Sequence, residues 1–326
     1  MAGNSSWADF ATSTFNDQSG GVADNVFKGM PLYKNLFEKG RVTKDGGNKI
    51  IRPLLYGEND TVTSFNGYDP FTVRPQTGIS AAEFSWKEVV GTVMISQREM
   101  ALNSGKYQAI NLLKEKKKQL EKTLRKKFNY YFLNDGTGNS GKDLLGIKAL
   151  IGDNAEGPST VGGIDCTTSA NAFWRSYVNR NGGTARQFDL DVWKRAYHES
   201  SDGTGEYPDL IFTTLDLYLA YEQTQHPMLR YKSGEDTANG MFVGLELGAA
   251  TLFWDADLVH DNVAGSPTYL INTDYIELVT HSDFWFKMTE FQQAPDRAAI
   301  SAAMFSMGEL VTNNRRMHGL VAYQTV

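Results

Sequence analysis

The longest regular pattern in the chain runs from residue 104 to 133, "SGKYQAINLLKEKKKQLEKTLRKKFNYYFL". Tyr107, Ile110, Leu113, Leu120, Leu124, Phe128 and Tyr131 recur at spacings of three, four or seven, which lays one apolar stripe along a helix. Lys, Leu, Glu, Gln and Arg fill the remainder, all good helix formers. At about 1.5 Å per residue such a helix would run about 45 Å. A different period governs the stretch before it. In "AAEFSWKEVVGTVMIS" (81–96), Phe84 and Trp86 alternate with Glu83, Ser85 and Lys87, the period of two of a half-buried strand. Its expected partner is "NKIIRPLLYG" (48–57), where Pro53 marks an edge strand or a bulge. Between them, "ENDTVTSFNGYDPFTVRPQTG" carries many turn residues and no helical pattern. A connection of that length inside a compact domain is usually functional or disordered. A two-stranded arm is marginal in water by itself, so something outside its own domain is expected to hold it.

Residues 1–40 are polar and punctuated by glycine, with short apolar clusters at Val26/Phe27, Leu32/Tyr33 and Leu36/Phe37. This is the pattern of an extended or briefly helical arm. After the long helix, "LLGIKALIGD" forms a short apolar element, and a low-complexity passage follows through Gly163. "SANAFWRSYVN" and "DLDVWKRAYHE" read as helical pieces. In "PDLIFTTLDLYLAYEQ" (208–223), Leu210, Ile211 and Phe212 make a buried strand, and Thr213-Thr214 opens an amphipathic helix. The last third is strand-rich, through "AATLFWDADLV", "TYLINTDYIELVTH", "DFWFKMTEF" and "RRMHGLVAY". There is no internal repeat, and the whole reads as α+β, with one long helix and β-rich flanks.

A chain of 326 residues has room for about two domains, or for one larger domain with extensions. Hydrophobic residues at 41% and charged residues at 21% support a core and argue against wholesale disorder. The single cysteine, Cys166, excludes an intrachain disulfide framework and a multi-cysteine metal site, which suits a reducing compartment. The start, "MAGNSSWADFATSTF", lacks the basic-then-apolar order of a secretory signal. No run reaches the roughly 18 apolar residues that span a bilayer. A soluble protein made inside the cell, with no membrane partner, is expected.

Charge is unevenly spread. The net charge is −6, yet the stretch from Lys106 to Lys127 holds nine basic residues and two acidic ones, Glu115 and Glu121. That local excess of +7 leaves −13 for the rest of the chain. At 100° per residue, Lys114, Lys118, Lys122, Arg125 and Lys126 fall on the side away from the apolar stripe. Like charges four residues apart cost a few tenths of a kcal/mol per pair. Such a face is either solvated surface or a contact with a polyanion, made through phosphates without base readout.

Motifs of catalysis are weak. "NDGTGNSGKD" (134–143) satisfies G-x-x-x-x-G-K through Gly136, Gly141 and Lys142. A phosphate loop, however, sits between a strand and a helix. This one follows a helix, and Asp143 stands where a Ser or Thr hydroxyl would hold magnesium. It reads as a glycine-rich turn. "HESSD" (198–202) resembles H-E-x-x-H, but Asp202 replaces the second histidine and a turn follows at once. His226, His260, His281 and His318 show no ligand spacing, no G-x-S-x-G occurs, and Cys166 has no local catalytic signature. No catalytic, cofactor or metal site is expected, although a sequence cannot pair carboxylates, so acid–base chemistry is undetected rather than excluded.

The order of elements resembles a tailed-bacteriophage major capsid protein of the Hong Kong ninety-seven-type fold, over nearly the whole chain. Carrying the resemblance are the hairpin, the long helix, "PDLIFTTLDLYLAYEQ", and "FVGLELGAATLFWDADLV" followed by "GSPTYLINTDYIELVTHSDFWFK". It implies an N-terminal arm (1–40), an extended β-hairpin loop (41–90), and a peripheral domain (91–157) with a spine helix (104–133). It further implies an axial domain (158–268) and a return to the peripheral domain (269–326), with the last strand in either the peripheral or the axial domain. The implied function is a shell of hexamers and pentamers around double-stranded DNA, assembled in the host bacterial cytoplasm and found in the virion. Phe65, Tyr68, Phe71 and Arg74 become candidates for inter-subunit contact through the loop, and the five basic residues candidates for facing the genome. The absence of a long N-terminal prodomain implies a separate scaffolding protein, beside a portal and a decoration protein. Lys44 and Lys49 lie near the loop, but nothing identifies a bonding pair, so no covalent cross-link is expected. An encapsulin-like compartment for cargo enzymes is the alternative within this fold. A carboxylate-based hydrolase and a surface adhesion module are alternatives of other classes.

Overall fold

The computed structural model of the chain describes residues 31–102, 112–152, 158–201, 203, 205–229, 245–255, 257–258, 265–294 and 297–325. The expectations for 1–30 and for 103–111, Tyr107 and Ile110 among them, lie outside the described residues. The long helix is seen over Leu112–Leu133, about 33 Å at 1.5 Å per residue.

Leu124 and Phe128 of the expected stripe are buried, Leu120 and Tyr131 half-buried, and the last turn adds Phe132 and Leu133 to the core. The helix lies on a six-stranded sheet built around the 14-residue strand Ala299–Thr312. Lys87–Ser96 pairs antiparallel with it, as do Ile276–His281, Lys287–Met288 and Gln292–Gln293. Val42–Asp45 adds a parallel edge strand beside Ile276–His281. Gly91 permits the close approach of helix and sheet, because a Cβ there would stand 2.5 Å from Leu120 Cδ1.

Two expectations change here. Residues 81–96 do not form one strand. Ile79–Phe84 pairs with Ile50–Leu55 in a separate hairpin, while Lys87–Ser96 turns into the six-stranded sheet. The break falls at Ser85 and Trp86, where the indole N–H donates to the Gly47 carbonyl at 2.9 Å and fixes the corner. "SANAFWRSYVN" is a 3-10 turn, Ser169–Trp174, followed by the strand Tyr177–Asn179.

A seven-stranded sheet forms the other half. Its order runs Leu245–Leu247, Ala250–Trp254, Leu210–Thr213, Ser266–Ile271, Gly319–Thr325, Tyr177–Asn179, with Arg186–Gln187 also pairing Gly319–Thr325. Its central strands are buried on both faces, so they read as continuous apolar runs. Ile211, Leu252, Leu270 and Val321 face the helices Leu190–Glu199 and Leu215–Leu229 and pack with Trp193, Leu217 and Tyr221. Leu210, Phe212, Tyr269, Ile271 and Leu320 face the other way. They join Phe128 and Phe132 of the long helix, Ile50, Leu54 and Phe84 of the hairpin, and Leu278 and Leu310 of the first sheet in one core.

Ionisable groups are buried near this junction. Arg315 is wholly buried, and its guanidinium donates to the carbonyls of Leu150 (2.6 Å), Ala149 (3.3 Å) and Gly152 at the end of the helix Ile147–Ile151. A cation there suits the negative end of a helix dipole. Glu309 Oε1 accepts the amide N–H of Leu145 at 2.8 Å and of Leu310 at 3.0 Å. Burial raises its carboxyl well above the usual range, which favours the neutral form, so its contribution to stability falls as pH rises above the unfolded value. His318 Nδ1 accepts the Asn272 N–H at 3.2 Å. Burial, with the nearby charge of Arg315, pushes its pKa down to about 3.

For His318 the unfolded chain binds the proton first, so stability is lost as pH falls from about 6.5 toward 3. This one group should remove about 2 kcal/mol between pH 6.5 and 5. His318→Asn keeps an acceptor for the Asn272 N–H and removes the proton uptake. Urea melts of the variant at pH 7 and pH 5 should differ less than those of the parent; an equal acid loss contradicts the assignment.

Candidate functional site

The hairpin is apolar on both faces. Its strands pair in register from Ile50↔Phe84 to Leu55↔Ile79, and strand geometry sends alternate side chains to opposite sides. Ile50, Leu54, Ala82 and Phe84 are buried against the protein's own core. Ile51, Leu55 and Ile79 are exposed on the opposite face. Charged contacts hold the root. Arg52 bonds Glu277 of the six-stranded sheet at 2.8 Å, and Lys49 pairs with Glu83 at 2.7 Å. Tyr56 stacks on Phe173 with ring centroids 4.4 Å apart.

Beyond this the hairpin narrows. The N–H groups of Tyr56 and Gly57 both point at the Gly78 carbonyl, and a Cβ on Gly57 would stand 2.7 Å from Gly78 Cα. Only glycine lets the two chains pass that closely. Past the neck, nearly every residue to Thr77 is exposed. Phe65 is 67% exposed, Tyr68 106% and Phe71 74%. Arg74 is ion-paired with Asp60 across the tip, and Asn59 and Asp69 close small side-chain turns on Thr61 and Asn66. Of the nineteen large apolar residues exposed among those described, nine lie between Ile51 and Ile79. Apolar exposure concentrated in one projecting segment marks an interaction site rather than ordinary surface.

A second exposed apolar patch lies on the six-stranded sheet. Val90 and Phe305 are register partners, and both are exposed, as is Met94 on the same face of its strand.

The long helix presents the cationic face. Lys114, Lys118, Arg125 and Lys126 are exposed, and Lys122 is half-buried. Arg125 lies 5.8 Å from the centroid of the Phe286 ring, so part of its surface is spent on packing. Lys116 pairs with Glu99 at 3.5 Å, and Lys127 covers Tyr130 at 4.3 Å. The structure therefore gathers the five basic candidates on one helix and Phe65, Tyr68, Phe71 and Arg74 on the hairpin tip.

The two motif look-alikes resolve plainly. Residues 134–143 turn between the helix Leu112–Leu133 and the helix Ile147–Ile151, and the Asp143 carboxylate lies against Gly138. His198 sits in the last turn of Leu190–Glu199, edge-on to Tyr197 and Tyr207, and Asp202 lies outside the described residues. Among the described residues no group of three or more His, Cys, Asp or Glu side chains is placed to share a metal ion. No described helix is long and apolar enough to cross a membrane.

Sequence reasoning missed the exposed sheet patch, because the strand Ala299–Thr312 itself escaped it. "AISAAMFSMGELVT" is rich in Ala, Ser and Met and poor in β-branched residues, so neither propensity nor strict alternation marks it. The register Val90↔Phe305 cannot be read from either segment alone.

Among the described residues, Phe65, Tyr68 and Phe71 belong to neither core cluster. Replacing all three by Ser should leave the unfolding free energy of the isolated subunit within about 0.5 kcal/mol of the parent, measured by urea titration. A loss of several kcal/mol would mean that the tip folds back on its own body.

No family model and no curated protein matches this chain in sequence. The fold, however, matches solved structures over nearly its whole length. The capsid asymmetric unit of cyanophage A-1(L) aligns with a TM-score of 0.69 at 13% identity, covering 94% of this chain and 96% of that one. The capsid of Myoviridae phage XM1 gives 0.59 at 12% identity, with coverage of 94% and 96%. An encapsulin complex from Synechococcus elongatus gives 0.58 at 10% identity, with coverage of 96% and 94%. The chain has the fold that these phage capsid and encapsulin subunits share.

Proposed function

We infer that the chain is the major capsid protein of a tailed phage, assembling into an icosahedral shell around double-stranded DNA. The observation that carries this reading is a capsid fold with a projecting hairpin whose apolar tip the subunit does not bury. Such a tip is stabilised by burial in another copy, at about 25 cal/mol per Å² of apolar surface removed from water. Closed symmetry repeats that contact around hexamers and pentamers. The six-stranded sheet with its long helix serves as the peripheral domain and the seven-stranded sheet as the axial domain. The exposed patch of Val90, Met94 and Phe305 is a suitable receiving surface for a neighbour's hairpin. The chain then acts through interfaces and not as an enzyme. A scaffolding protein, a portal and a decoration protein are its expected partners, in the host cytoplasm and later in the virion.

Lys114, Lys118, Lys122, Arg125 and Lys126 would face the packaged DNA and contact phosphates without reading bases. This favours the phage shell over the encapsulin-like compartment, which the match to an encapsulin keeps as the second reading. Nucleic acid inside purified particles supports the first, and cargo protein without nucleic acid supports the second.

Deleting 58–78, the tip together with the Gly78 side of the neck, should leave a folded, soluble subunit that forms no stable shells; normal particle yield by electron microscopy would defeat the assembly reading. Changing Lys118, Lys122 and Arg125 to Gln should permit assembly while lowering DNA retention. Removing three phosphate contacts should flatten the dependence of log affinity on log salt by roughly 2–3. Unchanged retention and slope would leave these charges as solvated surface.

A further inference from the structure

Two paired strands hold the same turn through groups of opposite kind. Glu309, in the strand Ala299–Thr312, is wholly buried. Its Oε1 accepts the Leu145 N–H at 2.8 Å and the Leu310 N–H at 3.0 Å, while its Oε2 is buried with no hydrogen-bond partner. Lys87, opposite Gly308 in register, donates its ammonium to the Gly141 carbonyl. Gly141 and Leu145 both belong to the turn between the helices Leu112–Leu133 and Ile147–Ile151. Gly146 closes that turn so tightly that a Cβ would stand 2.2 Å from the Asn134 carbonyl oxygen. Lys87 directly follows Trp86, whose indole fixes the corner where the hairpin leaves the sheet. One charged side chain therefore serves both the turn and the hairpin corner.

Burial disfavours the ionised form of Glu309; the N–H groups of Leu145 and Leu310 and the charge of Lys87 oppose that effect. On the turn, Asp143 interacts with Tyr131, Asp135 with Lys148, and Lys142 is exposed. On the long helix, Lys127 covers Tyr130 and Tyr131. The strand Ile276–His281 sets Val279 opposite Glu309, with Glu277 bonded to Arg52 and His281 edge-on to Trp86.

We propose that Glu309, Lys87 and the turn 134–146 form a proton-operated latch at the root of the hairpin. While Glu309 holds its proton, the turn is seated on both strands. Once the proton leaves to solvent, Oε2 carries charge inside the core, which needs a cation beside it. Lys87 supplies that cation by turning from the Gly141 carbonyl to Oε2. The move frees one side of the turn and displaces the residue next to the hairpin corner. An open turn solvates the carboxylate, so opening gains on closure as pH rises from the ordinary carboxyl range to the point where the closed form ionises, and levels off above it. The latch is a property of the single subunit and does not depend on what that subunit assembles into.

The test uses the full chain. Thermolysin cleavage before Leu144 or Leu145, followed by mass spectrometry between pH 5.5 and 8.5, reads opening of the turn. Relative to Glu309→Gln, which cannot ionise, cleavage of the parent should rise by up to about tenfold per pH unit and then level off. The infrared C=O stretch of a protonated acid, present in the parent and missing from Glu309→Gln, should vanish at the pH where cleavage levels. Lys87→Met should move both events to higher pH, since it removes the cation that favours the ionised form. The Trp86 indole N–H resonance should shift over the same range in the parent but not in Glu309→Gln, a comparison that cancels any effect of His281. The proposal is overturned by a cleavage ratio flat in pH, by a protonated-acid band already gone at about pH 6, by events unmoved in Lys87→Met, or by a Trp86 resonance that shifts equally in both proteins.

Discussion

One apolar core serves the long helix, both sheets and the root of the hairpin, and the rest of the molecule is arranged by what that core leaves over. Phe128 and Phe132 of the helix, Phe84 of the hairpin and Phe212 of the seven-stranded sheet belong to the same buried cluster. Because the cluster consumes one face of the hairpin, the alternation of strand side chains forces Ile51, Leu55 and Ile79 outward. The tip past Gly57 and Gly78 is left exposed among the described residues. The subunit is in this sense folded but unfinished, anchored firmly at the root and exposed at the end.

The same core imposes its cost on buried charge. Arg315 keeps its charge and is solvated by carbonyl oxygens at a helix end, while burial favours the neutral forms of Glu309 and His318. Each solves the problem of an ionisable group in a low-dielectric interior by a different route. The opposite signs for Glu309 and His318 make them pull stability in opposite directions as pH changes, which confines the best stability to an intermediate range.

Much of this was legible from local pattern. The long helix follows from its apolar spacing, the strand Leu210–Thr213 from its unbroken apolar run, and the hairpin from turn residues between two strand-like segments. The exposed aromatic residues of the tip could be named because nothing nearby offered them a core. What stayed hidden depends on pairing at long range. Ala299–Thr312 is the centre of its sheet, yet its small residues carry no strand signature, because its neighbours supply the bulk. Trp86 had the right period for a strand but marks the corner between two sheets. Asn129 and Asp255 are 126 positions apart, and no local rule connects a helical asparagine with an aspartate at a strand end.

The proposed assembly turns on the hairpin tip that the described residues leave exposed, and amide hydrogen exchange reads it directly. Residues 58–77 should exchange fast in the isolated subunit, while Ile50–Leu55 and Ile79–Phe84 are protected, and the tip should become protected in assembled particles. A tip that is already protected in the isolated subunit, or equally fast in particles, would contradict an arm completed by other copies of the chain.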